Sequence, residues 1–80
     1  MGAISNEDFA EQRRYLLRYA QLHLRDNARA EDVVQETLAV AVEQGGRFSG
    51  GSSLRTWLTG ILKHKIIDVF RAGRREVALS

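Results

Sequence analysis

An all-α bundle of three helices is the fold class that this sequence predicts. Three observations predict it: apolar residues recur at three- and four-residue steps over three stretches, proline is absent, and the glycine pairs Gly45-Gly46 and Gly50-Gly51 fall between the second and third stretches. No segment alternates apolar and polar residues as a half-buried strand would. At 80 residues the chain has room for one domain with one modest core.

The first predicted helix runs from about Asn6 to Leu24, with Phe9, Leu16, Leu17, Ala20 and Leu24 forming its buried stripe. Ser5 or Asn6 is positioned to cap its start, and Glu7 and Asp8 favour the positive end of its dipole. Asp26 and Asn27 break the pattern, and Asn27 is the expected N-cap of the second helix. That helix runs from about Ala28 to Gln44 and stops at Gly45-Gly46. Its stripe is Ala30, Val33, Val34, Thr37, Leu38, Ala41 and Val42, while Asp32, Gln35, Glu36, Ala39 and Glu43 share the opposite face. A polar loop, Arg47 to Ser52, follows and carries one aromatic, Phe48, expected to anchor beneath it. Ser52 or Ser53 caps the third helix, which extends from about Leu54 to Ala72 or slightly beyond. Leu54, Trp57, Leu58, Ile61, Leu62 and Val69 are its core stripe, so Trp57 is expected to pack rather than to stack on a base. Lys65 and Asp68 intrude beside this stripe, which predicts an internal ion pair or a capping role for Asp68.

Composition narrows the function classes. An apolar share of 44% is that of a globular protein and argues against general disorder. No apolar run approaches the ~20 residues that span a bilayer, and Glu7, Asp8 and Glu11 stand where a secretory signal would be apolar. Without cysteine there is no disulfide, thiolate zinc site or thiol nucleophile, which fits a cytoplasmic location. His23 and His64 lack metal-ligand spacing, and no nucleophile is paired with a base. Neither a metal, a cofactor nor an enzyme activity is therefore expected.

The formal charge of +2 conceals an asymmetry: residues 1–46 hold five basic and eight acidic residues, and residues 47–80 hold seven basic and two acidic. Such a split predicts two surfaces for partners of opposite charge. On the third helix, Thr56, Lys63, His64, Arg71 and Arg74 share a broad flank with Gly60, away from the Leu54–Ile61 stripe. Cations and short polar groups in that arrangement track phosphates, although composition alone reads equally as a solvated surface. The neighbouring loop, with Phe48, serine hydroxyls and glycine amides, has the chemistry to hold an unstacked base. On the second helix, Ala39 among Asp32, Gln35 and Glu36 allows a basic partner helix to approach closely.

Taken in order, these motifs resemble a known family. Ala30-Glu31-Asp32-Val33-Val34-Gln35-Glu36-Thr37 looks like the polymerase-binding segment of extracytoplasmic-function sigma factors of the sigma-70 superfamily. Arg47-Phe48, then Gly51 to Leu58 (Gly-Ser-Ser-Leu-Arg-Thr-Trp-Leu), resembles the loop and start of that family's promoter-melting helix. Ile61 to Asp68, followed by Arg71, Arg74 and Arg75, is similar to the rest of that helix, so the likeness covers about residues 13 to 75. The resemblance implies a region 2 type bundle over residues 1–76, with 77–80 a tail or the start of a linker to an absent C-terminal domain.

It also implies partners and residue roles. Asp32, Gln35, Glu36 and Ala39 would dock on the beta-prime clamp helices of the RNA polymerase core. Promoter DNA would be bound as the non-template single strand of the −10 element. Arg47, Phe48, Ser49, Gly50, Gly51 and Ser52 would form the loop pocket for a flipped base, and Lys63, His64, Arg71, Arg74 and Arg75 would contact the strand or the upstream duplex edge. An anti-sigma factor is the further partner that the resemblance admits; no membrane association is expected. Two departures stand out: His64 occupies a position where the family often has asparagine, with a different donor and acceptor pattern, and no −35-reading helix-turn-helix follows within this sequence. Two other readings of the residues are a helix-turn-helix binder of duplex DNA, for which the glycine-rich loop is too long, and a helical protein-interaction module.

Overall fold

A computed structural model describes residues 6–45 and 53–79, with side chains described over 9–45 and 53–73. Its elements are α1 (Asn6–His23), α2 (Asn27–Glu43) and α3 (Leu54–Leu79), and the described residues include no strand. The predicted three-helix, all-α class is therefore the observed one. α3 continues to Leu79, beyond the predicted end near Ala72.

Each helix starts or stops for a local reason. Asp26, not Asn27, caps α2: its backbone is extended, and its Oδ1 accepts from the backbone N–H groups of Ala28 at 2.9 Å and Arg29 at 3.3 Å. A carboxylate there satisfies two orphan donors and also meets the positive helix end, an advantage that neutral Asn27 lacks. The Asp26–Arg29 ion pair, 3.8 Å and exposed on both sides, adds little to this. α3 opens on Ser53, whose Oγ accepts from the Thr56 N–H at 3.1 Å and donates to Thr56 Oγ1 at 2.8 Å. α2 ends with the Gln44 N–H still bonded to the Val40 carbonyl, and Gly45 does not take a left-handed backbone. The expected glycine stop is thus not made through Gly45.

The three helices run up, down and up. Arg55, at the start of α3, donates from Nε to Gln12 Oε1 on α1 at 2.9 Å, while Tyr19 and His23 further along α1 lie beside Lys63, Ile67 and Phe70. α1 and α3 are therefore parallel. α2 is antiparallel to both, because its first turns (Arg29, Asp32) sit beside Val69, Ala72 and Gly73. The three residues between α1 and α2 suffice for such a hairpin.

Between the helices lie Leu16, Ala20 and Leu24, then Ala30, Val33, Val34 and Ala41, then Leu58, Leu62 and Ile66. Phe9, Leu17, Tyr19, Leu38, Leu54, Trp57 and Val69 pack around them, partly buried, so Trp57 takes the expected packing role. Thr37 is fully buried, and its hydroxyl donates to the Val33 carbonyl at 2.7 Å, which meets the requirement that buried polar groups be paired. Two expectations need correction. Val42 is 71% exposed instead of lying in the core. Asp68 is exposed and, among the described residues, forms no ion pair with Lys65. One cause underlies the second: Leu58, Leu62 and Ile66 face inward at four-residue steps, a row that turns position 68 toward the rim.

Candidate functional site

The charge asymmetry has a different geography in three dimensions from that of the two sequence halves. From Arg13 to Arg25 the chain carries Arg13, Arg14, Arg18 and Arg25 and no acid, all four exposed. Their charge adds to that of α3. Most of the exposed acid lies on α2, where Glu31, Asp32, Glu36 and Glu43 stand against the single cation Arg29, while Glu11 on α1 and Asp68 on α3 are isolated exceptions among the described residues. Acid is thus concentrated on one helix and not spread over the first half of the chain.

On α2, Asp32, Gln35, Glu36 and Ala39 are all exposed and share one face, as expected. Val42 joins them, lying three residues after Ala39 and seven after Gln35. That face is thus a small apolar patch, Ala39 and Val42, bordered by carboxylates. Its composition suits a partner helix that brings aliphatic contact with a basic border. Spacing could not reveal Val42, which continues the core stripe on paper and was separated from it only by packing. Asp32 also borders α3 at Val69, Ala72 and Gly73, so the acidic face reaches the basic helix there.

On α3, Lys63, His64 and Arg71 are exposed, with His64 and Arg71 two turns apart on one line. Gly60 precedes His64 by one turn on the same line, is exposed, and would meet nothing within 4 Å if it carried a Cβ. Nothing inside the fold requires glycine there, and its helical cost relative to alanine is about 0.5–1 kcal/mol. Gly60→Ala is expected to raise stability by about that amount, read as a higher urea midpoint at unchanged slope. A flat spot among cations lets a partner backbone come close, which is the property a phosphate track needs. Arg74 and Arg75 lie within α3, but their side chains fall outside the described residues, as does the whole Arg47, Phe48, Ser49, Gly50, Gly51 and Ser52 loop.

Two features of this surface escaped sequence reasoning. Ile67 and Phe70, 45% and 49% exposed, interrupt the basic flank of α3. Beside them α1 presents Tyr19 and His23, which continue a four-residue series begun at Tyr15, a signal readable as a second stripe next to the core stripe. The Arg55 guanidinium lies 4.3 Å from the Tyr15 ring centre while bonded to Gln12, which ties α1 to the first turn of α3. Among the described residues no three His, Cys, Asp or Glu side chains gather as a metal site would require, and no helix is long and apolar enough to cross a membrane.

Residues 9–76 match the family model described as Sigma-70 region 2. A probable RNA polymerase sigma factor of Haemophilus influenzae is 38% identical over 77 residues, covering 96% of this chain and 40% of that protein. An ECF RNA polymerase sigma factor, EcfG, of Rhodopseudomonas palustris is 44% identical over 62 residues, 76% of this chain and 34% of its own. The ECF RNA polymerase sigma factor SigC of Mycobacterium tuberculosis is 43% identical over 49 residues, 61% of this chain and 26% of its own. The chain thus spans about two-fifths or less of the length of these relatives. No solved structure matches it significantly.

Proposed function

The chain belongs to the sigma-70 region 2 family, and on that premise we propose that it docks on the RNA polymerase core and melts the promoter −10 element. The observation that carries this reading is the placement of opposite charges on separate helices: carboxylates around Ala39 and Val42 on α2, and cations around Gly60 on α3. Two partners of opposite sign can then bind at once without competing for one face. Asp32, Gln35, Glu36 and Ala39, with Val42, are the docking face for the beta-prime clamp helices. Lys63, His64, Arg71, Arg74 and Arg75 hold the non-template strand or the adjoining duplex edge, and the loop from Arg47 to Ser52 receives the flipped base.

The mechanism is binding without covalent chemistry. Unstacking a base costs a few kcal/mol, and its capture in a pocket offsets part of that cost. Core docking contributes the rest by holding the strand against α3, so the isolated domain binds single strands weakly. The test is a titration of single-stranded −10 DNA with core-bound and free chain across a salt series. Lys63→Ala with Arg71→Ala is expected to reduce affinity and to lower the slope of log affinity against log salt by up to about 1.4, at ~0.7 for each lost phosphate contact. An unchanged slope would remove this flank from the interface. Failure of the wild type to bind either core or single strands would end the reading itself.

A further inference from the structure

Between α1 and α3 lies an open cleft of about 200 Å³ lined by Tyr19, His23, Lys63, Ile66, Ile67 and Phe70. Three of its six side chains are rings, one is a lysine, and none is acidic. The Tyr19 and His23 rings brace one another, with centroids 4.7 Å apart and planes tilted by 39°. Phe70 is 49% exposed and Ile67 45%, so apolar surface that a soluble helix would ordinarily cover faces outward here.

We propose that this cleft is a second single-strand site, in which one nucleobase stacks against Phe70 and the Tyr19–His23 pair while Lys63 holds its phosphate. The proposal rests on the reading of the α3 flank as a single-strand track. Lys63 connects the two, since it belongs to the cationic flank and also lines the cleft. Charge decides the class of occupant. A cleft with one lysine and no carboxylate, beside the exposed Arg71, complements a polyanion. Ring content decides the manner of binding: aromatic side chains beside cations stack unpaired bases of any sequence. Mutual bracing of Tyr19 and His23 limits the rotamer entropy lost on binding.

The cleft lies well along α3 from the start of that helix. Phe70 stands sixteen residues beyond Leu54, roughly 24 Å along the helix at 1.5 Å per residue. About seven nucleotides at the stacked spacing of 3.4 Å cover that distance. A strand that covers α3 from its first turn to the cleft is therefore at least about seven nucleotides long.

The experiment compares mixed-sequence single-stranded oligonucleotides of about 5 and about 12 nucleotides, the second long enough to cover both sites. Affinity is read by fluorescence anisotropy and contact by ring-proton chemical shifts of the 80-residue chain. The longer strand is expected to shift the Tyr19, His23 and Phe70 ring signals. Phe70→Leu, which keeps the apolar volume but removes the ring, should weaken the longer strand on the order of tenfold, spare the shorter one, and leave helicity unchanged. Phe70→Trp should retain the wild-type affinity. Equal affinity of wild type and Phe70→Leu for the longer strand, with the Lys63 and Arg71 signals still shifting, would overturn the cleft and leave the α3 track standing. Loss of all shifts in the wild type would overturn both. Ring shifts produced by an acidic apolar peptide and not by DNA would overturn the base-stacking proposal in favour of a protein partner.

Discussion

Leu58→Ala is expected to cost 2 to 5 kcal/mol, roughly, and to leave much of the protein unfolded at physiological temperature. Leu58 is fully buried, and it stands on α3 where that helix meets the other two. A domain of this size is held by only about 4 to 12 kcal/mol, at 0.05 to 0.15 per residue, so one cavity removes a large share. Urea unfolding followed by circular dichroism gives the measurement. Leu58→Met, close in volume, should cost less than about 1.5 kcal/mol. A loss below about 1 kcal/mol for the alanine variant would mean that α3 is not seated as described. The function would fail with the fold, because the same helix that buries Leu58 and Leu62 presents Gly60, Lys63 and His64 outward.

The other large effect concerns binding alone. Asp32→Lys combined with Glu36→Lys is expected to reduce capture by RNA polymerase core by more than about 100-fold, since like charges set against one another cost several kcal/mol. Both carboxylates are exposed and one helical turn apart, so the fold should keep its urea midpoint. Immobilised core with the chain in solution, at fixed salt, supplies the comparison. Retention of core by the reversed variant would remove α2 from the docking role, whatever the DNA results. Val42→Ser offers a milder version, since an exposed apolar group at the centre of a contact contributes by excluding water.

Some of this was legible before any coordinates. Except that α3 runs on to Leu79, the three stripes located the helices to within a few residues, because a helix that must bury one face imposes the spacing on its sequence. Leu16, Ala20, Val33, Val34, Leu58 and Leu62 are buried as their spacing predicts. Periodicity failed at the stripe edges. The spacing places Val42 in its stripe and leaves Ile66 outside the other, yet Val42 is 71% exposed and Ile66 only 4%. Which edge of a stripe is covered depends on where the neighbouring helix lies, and that is not a local property. The same holds for adjacent Ile66 and Ile67: identical in chemistry and both lining the cleft, they differ because Ile66 is also buried in the core while Ile67 is exposed. Asp26 displaced Asn27 as the cap because two suitable side chains stood side by side and charge favoured the acid.

The sequence by itself determined the helical class, the approximate limits of the helices, the cationic flank of α3 and the acidic face of α2. It did so because each is written in the order of residues along one helix. Only the tertiary structure decided which residues of different helices share a surface. Packing set Arg14 and Arg18 of α1 beside Arg55 of α3, left Val42 beside Ala39, and set Tyr19 and His23 against Ile67 and Phe70. The α3 flank on which a strand would lie accordingly changed in character. From the sequence it was a row of cations; in the fold it is a row of cations that runs beside an aromatic cleft, because parallel packing of α1 and α3 brings two separate stripes to one groove.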